Sequence, residues 1–398
     1  MVRKPFILKL FDTANMQRWN DKISPVELRE LDKQAHKMII AYILGKREED
    51  AGTEDFDWIE VIEGGIFELL QRSVITDLKP QLFNKIREDR HTSQKLNDWV
   101  FTQLSPLMSS LGKETSERLH RYLEGTGENI NRRILHAAHA YATHWEFQII
   151  ERANPEGYEI RDIKKQLDKR LERYSTWQGR HLLPLTTDLK DFVDLCGELR
   201  FQLRWSHLYI VPRTSVLGHM LIVAILCYFF SRESGACRRR CINNFFTGLF
   251  HDLAEVLTRD IIDPVKRGVE GLEDLIKDYE KREMEEKLYK LIPARWHEEM
   301  KMFTEEEFAD FITENGKRRV TSSQELCQKY NSDEFNPRDG RIVQASDHLA
   351  AFTEAYLAMR NGITRHELSR AKHILRARYQ NKIICGLPFN EIYADFDA

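Results

Sequence analysis

The stretch that decides the reading is "FFTGLFHDLAEVLTRDIIDPVK", residues 245–266. Two neighbours, His251 and Asp252, interrupt an otherwise apolar run, and Glu255 and Asp260 follow. On a helix Glu255 lies four residues after His251 and three after Asp252, so all three share one face. Burying so many titratable groups without partners is costly. A helix of this composition therefore points to a site as well as a core. Its echo lies upstream: "GIFELLQRSVITDLKP" (65–80) answers "GLFHDLAEVLTRDIIDP" (248–264), one residue shorter.

The echo extends along the chain at a period of roughly 190 to 210 residues, longer than solenoid repeats. "QRWNDKISPVELRELDKQAHKMIIAYIL" (17–44) answers "LRWSHLYIVPRTSVLGHMLIVAIL" (203–226), each with Arg-Trp and then a histidine opening an apolar helix. "RILHAAHAYATHWE" (133–146) answers "RIVQASDHLAAFTE" (341–354) without a gap. Two copies of one helical domain are expected, 1–190 and 191–398, joined near 180–195.

Helical periodicity dominates elsewhere, and the fold class expected is all-α. "SPVE" (24–27) reads as a capping box with Pro25 at the first helical position, and "TRHE" (364–367) repeats the device before a helix stopping near Gly386 and Pro388. "TEEEFADFITENGK" (304–317) reads as a helix from a Thr cap to a Gly stop. "VLGHMLIVAILCYFF" (216–230) reads as a buried helix, too short to span a bilayer. No glycine-rich phosphate loop and no set of alternating strands is present.

With 398 residues the chain can bury a large core, and two domains are the better expectation. A net charge of −3 leaves no electrostatic footprint for a nucleic-acid polymer. It permits a small anionic ligand, which needs only a few local cations. Six scattered cysteines imply no disulfide framework and suit a reducing cytoplasm. Cys237 and Cys241, flanking three arginines without a second cysteine pair, read as a solvated loop. The N-terminus has neither a long apolar core nor a small-residue cleavage site, so no signal peptide and no membrane partner are expected.

His219, His251, Asp252 and Asp347 each interrupt an apolar helix. Mixed imidazole and carboxylate ligands suit a divalent transition metal, which would relieve the cost of burying them. The order His…His-Asp…Asp resembles the metal-binding signature of the HD-domain phosphohydrolases, an all-α superfamily. More narrowly, residues 200–360 resemble its bacterial 5′-deoxynucleotidases. The resemblance is carried by Arg204-Trp205, by "VLGH" (216–219), by "HDLAEVLTRDIIDPVK" (251–266) and by "ASDHLAAF" (345–352), with "YEKREMEEKLYKLIP" (279–293) like the intervening helix. The chain departs from the pattern at Gly218, where the family often has Glu, and at His348, where Lys commonly follows the last ligand. The stretch 302–340 is also longer.

The resemblance implies His219, His251, Asp252 and Asp347 as ligands of a divalent ion (Mn, Co, Fe, Zn or Mg), and a small-molecule nucleotide as substrate. Such an ion lowers the pKa of its water toward about 7 and offsets the charge of a phosphomonoester dianion. Glu255 is placed to be the general acid for the departing sugar oxygen, and Asp260 resembles the family's sugar-contacting acid. Arg204 offers a fork for phosphate and Trp205 a flat wall beside sugar or base. The blander alternatives are a core tryptophan, a surface-paired Arg204, a solvated face for Glu255 and Asp260, and a purely structural metal.

In the first copy His36 answers His219, Glu68 answers His251, Leu69 answers Asp252, His139 answers Asp347 and Arg72 answers Glu255. This half is expected to be a degenerate, non-catalytic copy, with His36, Glu68 and His139 as a conceivable relic metal site. His136 and His144 read as ordinary helix positions. The activity implied is hydrolysis of 5′-nucleoside monophosphates with a deoxy preference. Another nucleotide (an alarmone, a cyclic nucleotide or a triphosphate) is the second enzymatic option, and a nucleotide-binding regulator with little turnover the non-enzymatic one. Because such nucleotidases resemble one another in forming homodimers, the two halves are expected to pack as an intrachain pseudo-dimer.

Overall fold

The computed structural model describes residues 1–76, 78–125, 127–261 and 268–397. The Pro264-Val265-Lys266 end of the opening motif, and Asp77 in its echo, lie outside the described residues. Helices dominate, and strands occur among the described residues only as four short antiparallel pairs. Six helices carry the site and are labelled here α1 (Glu30–Asp50), α2 (Trp58–Ile75), α3 (Ile130–Ala153), α4 (Val216–Glu233), α5 (Arg238–Phe250) and α6 (Gly340–Arg360).

The helix α4 shows why the chain folds as it does. Ser215 caps it by accepting from Gly218 N at 2.9 Å. Beyond the cap it is apolar all round, so it can only be a core or a membrane helix. It runs to Glu233 and is long and apolar enough to cross a bilayer, yet 89% of it is buried against the protein's own helices. It is the central core helix. One continuous apolar cluster includes Ile39 of α1, Leu70 of α2, Val223 of α4, Phe246 of α5 and Leu349 of α6, so both halves share it.

The segments that echo each other in sequence also touch at corresponding positions. The strand pairs Gln17↔Arg29 and Leu203↔Ser215 deliver the chain into α1 and α4 in the same way, with Arg29 and Ser215 as N-caps. Counting from those caps, Tyr42 corresponds to Tyr228. Tyr42 packs its ring at a tilt against Phe246 near the chain's other end, 4.9 Å between centroids, and Tyr228 donates to Glu63 at 2.5 Å. Glu63 and Phe246 each stand two residues before the matched segments that begin at Gly65 and Gly248. Helix crossings repeat as well: Gly65 lies against Met38, and a Cβ on Gly248 would come within 2.8 Å of Ala224 Cα.

The same register accounts for Gly218. It stands opposite Asp32 on α1, and a Cβ there would lie 2.8 Å from Asp32 Oδ1 and 3.0 Å from Leu31 Cδ2. The first half thus fills the space that a glutamate would take. Gly218→Glu is expected to lower stability by about 3 kcal/mol, adding overpacking to like charge beside a buried carboxylate. Gly218→Ala should cost about 1–3 kcal/mol. Urea midpoints measure both, and a neutral Gly218→Glu would refute this packing.

Four local expectations fail, each to a competing interaction. Residues 304–317 are not one helix: a helix ends at Thr304, and Phe311–Glu314 pairs with Lys317–Val320 around Asn315-Gly316, both at positive φ. Asn-Gly is the dipeptide that a tight hairpin turn requires, and it overrides the helical spacing. At 24–27 no capping box forms; Ser24 Oγ donates to Val26 O, Asn154 accepts from Ile23 N, and the helix waits until Glu30. The helix predicted from "TRHE" starts at His366 without a side-chain cap and ends at Tyr379, short of the hairpin Ile383–Ile384 and Leu387–Pro388. Cys237 and Cys241 lie not on a solvated loop but on α5, Cys237 as its N-cap and Cys241 buried, with Arg240 fully buried against Asp339.

Candidate metal centre

Three elements converge on one point. The helix α4 presents His219 from its first turn, the end of α5 presents His251 and Asp252, and α6 presents Asp347. One ligand atom each from His219, His251 and Asp347 lies within 4.8 Å of the others. His219 Nε2 is 3.0 Å from Asp347 Oδ1. Asp252 is not one of those three but lies beside them, its Oδ2 3.2 Å from His251 Nε2.

Both imidazoles are fixed through Nδ1. Glu354 Oε1 lies 3.2 Å from His219 Nδ1, and Gly248 O lies 2.9 Å from His251 Nδ1. Such a partner sets the tautomer and turns Nε2 toward a metal. Among the described residues, buried His251 Nε2 has no hydrogen-bond partner, its approach to Asp252 falling outside hydrogen-bond geometry. Two directed Nε2 atoms and two carboxylates form a donor set that fits a divalent transition metal.

The charges answer one another in the same sense. Burial pulls His251 down, but Asp252 and Asp347 outweigh it and push it up to about 9. Burial would raise Asp252, and His251 with Arg204 instead hold it down at about 2. Asp347 lies well below the ordinary carboxylate range, because the nearby imidazoles outweigh its burial. A divalent ion would take over the role that protons play here.

Glu354 was not foreseen from the sequence, and it organises the site. Fully buried on α6, it accepts from Arg204 Nε at 3.3 Å, from Trp205 Nε1 at 2.8 Å and faces His219 Nδ1. One carboxylate therefore positions the Arg-Trp pair and the first ligand together. Its signal was the alignment itself: Glu354 falls opposite Glu146, a carboxylate in the same apolar helix pattern. Trp205 sits at positive φ and packs beside Ile210, Ala355 and Leu368, so it is both anchored and part of a small satellite core. Arg204 also reaches Asp252 Oδ2 at 3.5 Å. It is half-buried, and Glu354, Asp252 and Asp260 outweigh the cost of that burial and hold its guanidinium charged, which places Asp260 in the same field.

Glu255 lies on a separate short helix, Glu255–Thr258, because α5 ends at Phe250 and the chain turns over 251–254. The shared-face reading of 251–255 as one helix is corrected accordingly. Glu255 is nonetheless buried, held through its backbone by Gln202 Nε2 and Asp252 O. Burial pushes the carboxyl of Glu307 up against the pull of His251. The long stretch 302–340 delivers it.

The first half holds a different centre. From the cap Arg29 the residue corresponding to His219 is Lys33, not His36. The difference arises because the two segments align without the gap that matching the histidines demands. His36 turns away and is buried against Val193 O at 2.9 Å. Lys33 Nζ lies 2.5 Å from His139 Nδ1, and Lys37 pairs with Glu68 at 2.9 Å. Lysine side chains stand where a ligand set would have to form, and His36, Glu68 and His139 do not form one among the described residues.

Residues 196–375 match the model of the HD domain family. The match supports an HD-superfamily domain over that span, with all four candidate ligands, Arg204, Trp205, Glu255, Asp260 and Glu354 inside it. HD domains are in general metal-dependent phosphohydrolases, in keeping with the donor set described. No curated protein and no solved structure matches the chain.

Proposed function

We propose that this HD domain hydrolyses 5′-(deoxy)nucleoside monophosphates to nucleoside and phosphate, in the cytoplasm. The observation that carries the reading is Glu354, which ties Arg204 and Trp205 to the ligand His219. A guanidinium fork and an aromatic wall beside one metal suit a phosphate joined to a sugar and base. When bound, the divalent ion supplies Lewis acidity and an acidified water. Arg204 orients the phosphate, Trp205 limits the space beside the sugar, and Glu255 delivers a proton to the departing 5′ oxygen. Asp260 is assigned to the sugar.

A phosphate-release screen of nucleotides against Mn, Co, Mg, Fe and Zn tests this. Phosphate from deoxymonophosphates is the expected result; pyrophosphate from triphosphates, or tight binding without hydrolysis, would replace the reading with one of its rivals. Glu255→Ala should keep the metal and lose about 10²–10⁴-fold in turnover, the range for a general acid. Loss below tenfold on substrates with a poor leaving group would move the acid elsewhere, with Glu307 next in line.

We further propose that the halves descend from a duplication and form an intrachain pseudo-dimer, 1–190 serving as a non-catalytic copy. The reciprocal contacts of Tyr42 and Tyr228 support it. Residues 195–398 expressed alone should self-associate or precipitate, because α4 would lose the cover of α1. A monodisperse, fully active monomer on size-exclusion chromatography would end this proposal.

A further inference from the structure

Two of the six thiols meet at one guanidinium. Cys327 lies near the end of the short helix Ser323–Gln328, and Cys385 lies in the turn between Ile383–Ile384 and Leu387–Pro388. Arg240 of α5 reaches both: its Nη2 is 3.3 Å from Cys327 Sγ and 3.6 Å from Cys385 Sγ. Both cysteines are free and partly exposed.

The turn is built around this meeting. Cys385 and Gly386 are its two central residues, with φ of 51° and 81°. A two-residue hairpin turn of this kind demands positive φ at both positions, and Asn, Asp or Gly ordinarily takes the first. Here a cysteine holds it, and Cys385 Sγ donates to Asp339 Oδ2 at 3.0 Å. Asp339 caps α6 by accepting from Ile342 N, and it forms a fully buried ion pair with Arg240. The two thiols therefore sit where the start of α5 is pinned to the start of α6.

Their surroundings give the thiols unlike roles. Cys327 is the nearer of the two to the cation, and Cys385 is the one that donates to the carboxylate. A guanidinium favours a thiolate, and a carboxylate opposes one. Accordingly the neighbouring Cys385 thiol and Arg240 hold Cys327 down at about 6, against its partial burial. Cys327, burial and Asp339 push Cys385 well above the ordinary thiol range. The other four cysteines have no such setting: burial pushes Cys237 up to about 11 and Cys241 up to about 12, and raises Cys196 and Cys227 as well. Thiols raised by apolar burial are inert.

We propose that Cys327 and Cys385 are a peroxide-sensitive dithiol, Cys327 attacking the peroxide and Cys385 closing a reversible disulfide. The Cys327 thiolate attacks one oxygen of hydrogen peroxide, the O–O bond breaks, and the leaving hydroxide takes up a proton as water. The product is a sulfenic acid. Its formation removes the negative sulfur that most strongly holds the Cys385 thiol up. Cys385 then attacks the Cys327 sulfur, an S–S bond replaces the S–O bond, and hydroxide leaves with the Cys385 proton as a second water. Asp339 Oδ2 is in place to relay that proton. The two thiols lose two electrons, which the peroxide gains. A disulfide requires about 2 Å between sulfurs, so the hairpin closes on the helix Ser323–Gln328 as the bond forms. No residue of the metal centre takes part, so the proposal is independent of the substrate assigned there.

The test uses the full-length protein, reduced, freed of reductant, treated with hydrogen peroxide and mapped by non-reducing peptide mass spectrometry. A linked Cys327–Cys385 peptide is expected, lost again on adding dithiothreitol. Iodoacetamide at neutral pH should label Cys327 about tenfold or more faster than Cys237, as its depressed thiol requires. Cys385→Ser should leave a sulfenic acid on Cys327 that dimedone traps, and Cys327→Ser should leave Cys385 unlabelled by dimedone. The wild-type map needs no variant, so a substitution that fails to fold leaves the test intact. A wild-type Cys327 that stays unmodified, or is oxidised without a linked peptide, would overturn the proposal. So would linkage of either cysteine to Cys237, or equal labelling of Cys237 and Cys327.

Discussion

Asp252→Ala is expected to remove bound metal and phosphohydrolysis together, leaving turnover at background and helix content intact. Asp252 follows α5 and is not part of the apolar cluster that holds the bundle. Its loss therefore takes one carboxylate from the donor set without opening a core cavity. It also frees His251, whose raised pKa depends on Asp252, and withdraws one acceptor from Arg204. Metal content by mass spectrometry, circular dichroism and phosphate release measure the three consequences. Retained turnover in metal-depleted Asp252→Ala protein would sink the assignment of the centre.

Glu354→Ala should be the most damaging single change to stability within the site. The side chain is fully buried and answers a guanidinium, an indole N–H and an imidazole at once. Removing one partner of a buried charged pair typically costs about 3–5 kcal/mol, because the other charge remains uncompensated. Loss of the group that fixes a ligating histidine should also weaken metal binding by about 10–100-fold. Glu354→Gln keeps an acceptor and should fall between wild type and alanine in both measurements. Urea unfolding and metal titration test the pair. Stability within about 0.5 kcal/mol of wild type, the range of an inconsequential surface change, would show that Glu354 does not hold the site together.

The sequence alone determined the helical class, singled out four candidate ligands and carried the echo between its two parts. Each is a local pattern: titratable residues on apolar helical runs, or short matched segments. His219, His251 and Asp347 do converge, with Asp252 beside His251, because burial of such helices leaves their polar interruptions nowhere else to go. Local patterns misled where two local devices competed, as when Asn315-Gly316 turned a helical spacing into a hairpin. They also misled where similarity of letters set the register, as with His36 against His219. Only the tertiary structure fixed that register, since the strand pairs entering α1 and α4 count to Lys33 and not to His36.

Tertiary structure alone also decided the roles of Gly218, Glu354 and Lys33, because each depends on a partner distant in the chain. Gly218 is small because Asp32 of the other half stands against it. Glu354 matters because Arg204, Trp205 and His219 reach it from two other elements. Lys33 is buried among cations because α1, α2 and α3 close over it. A sequence specifies which residues interrupt an apolar face; which interruptions meet is settled by packing the helices together.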